Sequence, residues 1–128
     1  MNGVDEVWRW YKDVVLNKYA QFSGRAHRTE YWMFFLVNFL IWAGLNAVEG
    51  TLGIWGIFSG LYGLAVLVPS IAAAMRRLHD TGRSGWWVLL ALIPVLGTIA
   101  LLVLLALEGE PGANEYGEKP APALPVVP

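Results

Sequence analysis

The sequence predicts an all-α integral membrane protein: an N-terminal interfacial amphipathic helix, then three transmembrane helices, with the N-terminus inside and the C-terminus outside. Three observations carry this. Of the 128 residues, 56% are hydrophobic, seven are tryptophan and mean hydropathy is +0.48, too apolar for a surface that must meet water. The apolar residues gather into three runs, each near the ~20 residues that a ~30 Å hydrocarbon core demands. Charge is also sorted by sign. The net charge is only −1, yet eight of the nine basic residues lie before Tyr31 or between Arg76 and Arg83. Such sorting marks cytoplasmic segments, and it excludes a nucleic-acid-binding role.

The amphipathic helix is expected over residues 4–22. Val4, Val7, Trp8, Tyr11, Val14, Val15, Tyr19 and Phe22 recur at helical spacing, while Asp5, Glu6, Arg9, Lys12, Asp13 and Lys18 face away. Such a helix lies in the inner interface, and Ser23-Gly24 breaks it. The spans are expected at 31–48, 52–75 and 86–107, the first serving as an uncleaved signal anchor. Tyr31-Trp32 and Trp86-Trp87 open the first and third spans as aromatic anchors at headgroup level. Five basic residues precede span 1 and three join spans 2 and 3, against only Lys119 after span 3, which sets the orientation. Residues 1–120 form a single membrane domain. The stretch from Glu108 is polar and turn-rich, and the proline-stiffened tail 121–128 is expected to be disordered.

Several strings carry a resemblance. In order they are Trp10-Tyr11, Tyr19 with Phe22-Ser-Gly-Arg-Ala-His-Arg-Thr-Glu-Tyr-Trp, Pro69, Arg76-Arg-Leu-His-Asp-Thr-Gly-Arg-Ser-Gly-Trp-Trp, Ile93-Pro94, and Gly112-Ala-Asn114-Glu-Tyr116-Gly117 with Pro120. Together they resemble the small bacterial inner-membrane proteins grouped as domain-of-unknown-function family 805. The resemblance covers nearly the whole chain and implies a multi-pass protein of the bacterial inner (plasma) membrane. It implies no activity, because the family has none established.

Without cysteine, the chain offers no disulfide, thiolate nucleophile or thiol redox chemistry. Arg25, Arg28, Arg76, Arg77 and Arg83 are candidate contacts for anionic lipid headgroups or for a membrane-protein partner, since the guanidinium fork binds phosphate in a bidentate way. Retention of the loop inside the cell accounts for the same residues. Gly24, Glu30, His79, Asp80, Gly82 and Ser84 read as structural: Gly82 ends helix 2 left-handed, Ser84 caps helix 3, His79 faces the negative end of a helix dipole, and Asp80 pairs with Arg76 or Arg83. No metal site is expected, because adjacent His79 and Asp80 diverge by ~100° on a helix and lack an i+4 partner.

Gly53, Gly56, Gly60 and Gly63 would form one smooth strip on span 2, packed against span 1 or span 3 or forming a homo-oligomer seam. Asn38, Pro69 and Pro94 fall in one layer ~10–12 Å below the inner surface. There Asn38 could donate to Ala65 or Leu90, the carbonyls freed by the prolines. The function expected is a non-catalytic interaction or lipid-organising component, without a cofactor. A transport or channel subunit is the alternative, although no ionisable side chain lies mid-span. An intramembrane enzyme would rest on Ser84, His79 and Asp80 alone.

Overall fold

The structure, a computed structural model, describes residues 3–120; the tail expectation for 121–128 lies outside the described residues. Helix α1 spans Gly3–Lys12, with Asp5 and Glu6 in its first turn and Arg9 and Lys12 in its last, each complementing the helix dipole. It passes into a π-helical turn, Asp13–Asn17, and stops there rather than at Phe22. Lys18 ends it: its backbone N–H bonds Asp13 O, and its ammonium reaches Asp13 at 3.1 Å and Glu30 at 3.0 Å. The apolar face of α1 is turned onto the next helix. Tyr11 stacks on Phe34 with centroids 5.8 Å apart, and Val7 and Trp8 share a groove with Leu36, Val37 and Leu40.

Helix α2, Arg28–Leu52, and helix α3, Ile57–Asp80, form an antiparallel pair, each long and apolar enough to cross a membrane. The turn between them disposes of half the expected glycine strip. Gly53 ends α2 at φ 73° and Gly56 opens α3 at φ 82°, both left-handed conformations that glycine adopts without Cβ strain. Only Gly60 and Gly63 lie within α3, and a Cβ on either would meet open space, so no helix of this chain packs there. Glu49 is buried at the turn and accepts from the backbone N–H groups of Phe58 (2.9 Å) and Ser59 (3.2 Å), capping α3.

The third apolar run is not one helix. A 3₁₀ segment, Gly85–Leu92, reaches a bend at Ile93–Val95, where Pro94 lacks an N–H and Val95 takes φ 61°; α4, Leu96–Ala106, then runs back. Eight residues at ~2.0 Å and eleven at ~1.5 Å rise give two arms of about 16 Å, half a hydrocarbon core. At Gly97 the arms touch, since a Cβ there would lie 2.0 Å from Leu90 O. The return is fixed by bonds at the far end: Arg77 donates to Leu105 O and Leu107 O, and Glu110 N bonds Asp80 O at 2.7 Å.

The segment thus enters and leaves at the end where α2 begins and α3 ends. The third expected span is therefore two short arms rather than one helix, and residues 107–119 lie beside 24–30 and 76–85. The buried core sits at this same end, joining Tyr11, Val14, Tyr31, Phe34, Ala73, Ala74, Leu78, Leu101 and Leu105.

Candidate functional site

The arginines converge at the core end, and most of them face inward. Arg76 is fully buried; it donates from Nε to Gln21 O at 3.0 Å and from Nη1 to Glu30, leaving Nη2 without a protein partner. Arg77, also fully buried, donates to Leu105 O (2.9 Å), Leu107 O, Ala26 O (3.2 Å) and Asp80 Oδ2, its i+3 neighbour on one helix face. Asp80 Oδ1 accepts from Arg25 Nε at 2.9 Å. The partners of Asp80 are therefore Arg25 and Arg77, not Arg76 or Arg83: position 25 reaches it because Ala26 N bonds Arg76 O at 3.0 Å, laying the 18–28 segment along the end of α3.

A strap from the C-terminal side closes the cluster. Arg25 donates to Glu110 O (2.7 Å), Gly112 O (2.5 Å) and Gly117 O (3.2 Å). His79 donates from Nδ1 to Gly24 O at 2.9 Å, and its ring stacks on Tyr116 with centroids 4.0 Å apart and planes 4° from parallel. Asn114 Nδ2 bonds His79 O at 3.0 Å, and backbone bonds between Asn114 and Gly117 tie off the turn. Gly109 permits the approach, since a Cβ there would lie 2.0 Å from Asp80 Oδ2. The polar, turn-rich residues 108–119 thus fold onto the cluster, which the sequence reading did not foresee; the signal for it was turn chemistry, an Asn114-x-x-Gly117 pair.

The charge balance explains the geometry. Three buried guanidinium groups, Arg25, Arg76 and Arg77, face two buried carboxylates, Glu30 and Asp80. The surplus positive charge is met by carbonyls, including those at the negative end of the α4 dipole, because a buried charge left bare is costly. Hence Arg25, Arg76 and Arg77 are withdrawn from the expected set of lipid contacts, their donors being turned into the protein. Arg28 is exposed and Arg83 half-buried, and among the described residues the side chain of each has only a 3.5 Å contact to a carbonyl, of Ala106 and Thr81 respectively.

The remaining positions have local reasons. Gly24 and Gly82 both take left-handed φ, 90° and 80°, and Gly82 ends α3. Ser84 accepts from Trp86 N at 3.3 Å, capping a 3₁₀ segment rather than an α-helix. His27 caps α2 by accepting from Thr29 N at 3.1 Å. Its pKa lies below the ordinary histidine value, first through burial, with Arg77 and Arg28 adding to the depression and Asp80 opposing it. A neutral ring is what an accepting Nδ1 requires. Since the folded pKa is the lower one, this cap contributes fully above the unfolded pKa of 6.5 and is withdrawn as pH falls through the folded value.

The polar layer is also rearranged. Tyr62 donates to Asn38 Oδ1 at 2.7 Å, so the 2.7 Å contact between the Tyr11 and Tyr62 hydroxyls has Tyr11 as donor. The Ala65 carbonyl freed by Pro69 is taken by the Tyr19 hydroxyl at 2.6 Å, not by Asn38. Leu90 O accepts from Ile93 N at the hairpin bend, where Pro94 stands outside any helix. Tyr19→Phe removes the donor but keeps the ring. We expect it to cost about 1–3 kcal/mol, read as a lower Tm in detergent; an unchanged Tm would show that the freed carbonyl has another partner.

Comparison with known proteins finds bacterial relatives of this chain. A family model described as protein of unknown function (DUF805) matches residues 19–118. The chain is 48% identical over 113 residues to inner membrane protein YhaI of Escherichia coli (strain K12), covering 88% of this chain and 95% of the relative. It is 44% identical over 117 residues to inner membrane protein YhaH of the same strain, covering 87% and 95%. No solved structure matches.

Proposed function

Because the chain belongs to the DUF805 family of proteins of unknown function, we propose that it is a non-catalytic inner-membrane component that organises anionic lipid at the cytoplasmic surface. In this reading α2 and α3 cross the bilayer, the 85–106 hairpin dips into the inner leaflet and returns, and both described ends lie inside. The sorted basic residues support that orientation.

One observation carries the lipid reading: the returning hairpin leaves Trp86, Leu92, Val95 and Leu96 largely exposed (76%, 77%, 68% and 75%) in a segment too short to cross. Such a wedge takes up area in one leaflet only. Beside its entry stand Arg28 and Arg83, the two of the five candidate arginines that no carboxylate among the described residues holds. Each contributes about 1 kcal/mol toward an anionic surface. The headgroup role thus falls to Arg28 and Arg83, with Trp86 and Trp87 as interfacial anchors.

The test is the lipid retained in polymer-bounded nanodiscs cut directly from membranes. Parent protein should hold anionic lipid above the bulk proportion, and Arg28→Gln with Arg83→Gln should bring it to the bulk proportion without lowering Tm. Equal enrichment in both proteins would overturn the reading.

A further inference from the structure

Between α2 and α3, away from the arginine cluster, a cleft of about 260 Å³ opens on the outer surface of the helix pair. Phe35, Phe39, Trp42 and Tyr62 supply aromatic walls, while Asn38 and Ser70 add an amide and a hydroxyl. Apolar walls with a few convergent polar groups are the usual make-up of a small-molecule site, and this volume lies just below the ~300–1,000 Å³ such sites span, enough for one ring.

The polar groups have a definite polarity. Asn38 Oδ1 accepts from the Tyr62 hydroxyl at 2.7 Å, and Tyr62 is in turn held by Tyr11. Among the described residues Asn38 Nδ2 has no hydrogen-bond acceptor. Its two N–H groups are therefore free donors, fixed from behind by a three-helix hydrogen-bond chain, in surroundings where an unmet donor is costly. What fits is an acceptor rather than a donor: an apolar molecule with a carbonyl oxygen. The aromatic walls favour a planar ring, and the open side lets a long chain trail into the bilayer.

We propose that this cleft binds the head ring of a lipid-soluble quinone, with a ring carbonyl accepting from Asn38 Nδ2 and the ring lying among Phe35, Phe39, Trp42 and Tyr62. The same carbonyl chemistry occurs in fatty acids and acyl esters, which lack the ring. The proposal concerns binding alone and involves no electron transfer.

Gly63 makes the test clean, because it lines the cleft while a Cβ there meets nothing within 4 Å. Gly63→Leu should fill the cleft without clashing with the fold. Gly60→Leu, three residues earlier on α3 and equally open but outside the cleft lining, is the control. The full chain in nanodiscs is titrated with decylubiquinone, followed by equilibrium partitioning, with oleic acid and a phosphatidylglycerol as competitors, and with Tm measured for each variant.

The expected result is saturable binding to parent and Gly60→Leu, and binding at least about tenfold weaker in Gly63→Leu and in Asn38→Leu. Neither glycine variant should lower Tm. Equal affinity in parent and Gly63→Leu overturns the site. Displacement of decylubiquinone by oleic acid or phosphatidylglycerol at equal concentration overturns the ring assignment, the occupant then being an acyl chain.

Discussion

Replacing Asp80 by asparagine should destabilise the protein by about 3–5 kcal/mol, the range for removing one partner of a buried ion pair. The carboxylate is the counter-charge for both Arg25 and Arg77, and its side chain is 2% exposed. Asparagine keeps the volume and one acceptor, so the loss is of charge rather than packing. Two guanidinium groups would then share only carbonyls. Thermal unfolding in detergent should show a large fall in Tm, while Arg83→Gln at the same end should shift stability by less than about 0.5 kcal/mol, as for most surface changes. Adding Arg25→Gln to Asp80→Asn should restore part of the loss, because the surplus positive charge falls by one. If Asp80→Asn melts like the parent, the buried ion network is not what holds this end together.

The second large effect concerns threading and is all-or-none. Alkaline phosphatase, active only outside, should be silent when fused after Glu118, and a cytoplasmic fluorescent reporter at the same place should be bright. Fusion after Thr51, in the last turn of α2, should give active phosphatase. Three crossings would reverse the result at Glu118. High phosphatase activity there would mean that 85–106 crosses the membrane as a single stretched helix. The bonds from Arg77 to Leu105 O and Leu107 O could then not form.

The two long helices were legible because each is apolar over its own length and Gly82 marked the end of the second, but the turn between them was misread, with Gly53 and Gly56 counted inside span 2. The hairpin was not. Composition over 86–107 cannot separate a crossing from a return, since both demand apolar side chains; Pro94 reads as a tolerated membrane-helix residue. What decides the matter is contact across many residues. Gly97 meets Leu90 O, and Arg77 meets the end of α4 28 and 30 positions later.

The candidate site was legible in the same uneven way. Arg77 with Asp80 follows from i,i+3 spacing on one helix, whereas Arg25 with Asp80 spans 55 positions and no local rule reaches it. The basic loop was found by its charge. That its arginines face inward depended on Glu30, on the strap carbonyls and on an Asn114–Gly117 turn, none of which announces a partner locally.

The strap over Arg25 also sets an order of events during synthesis. Arg76, Arg77 and Asp80 leave the ribosome well before Glu110, Gly112 and Gly117, whose carbonyls complete the shell around Arg25. At ~5–20 residues per second the delay is a matter of seconds. For that interval Arg25 lacks the carbonyls that complete its shell, and its guanidinium is incompletely hydrogen-bonded. A ribosome that stalls or terminates shortly after α4 therefore releases a product with that shell still open. Quality-control proteases could tell this product from the finished protein by charge exposure alone.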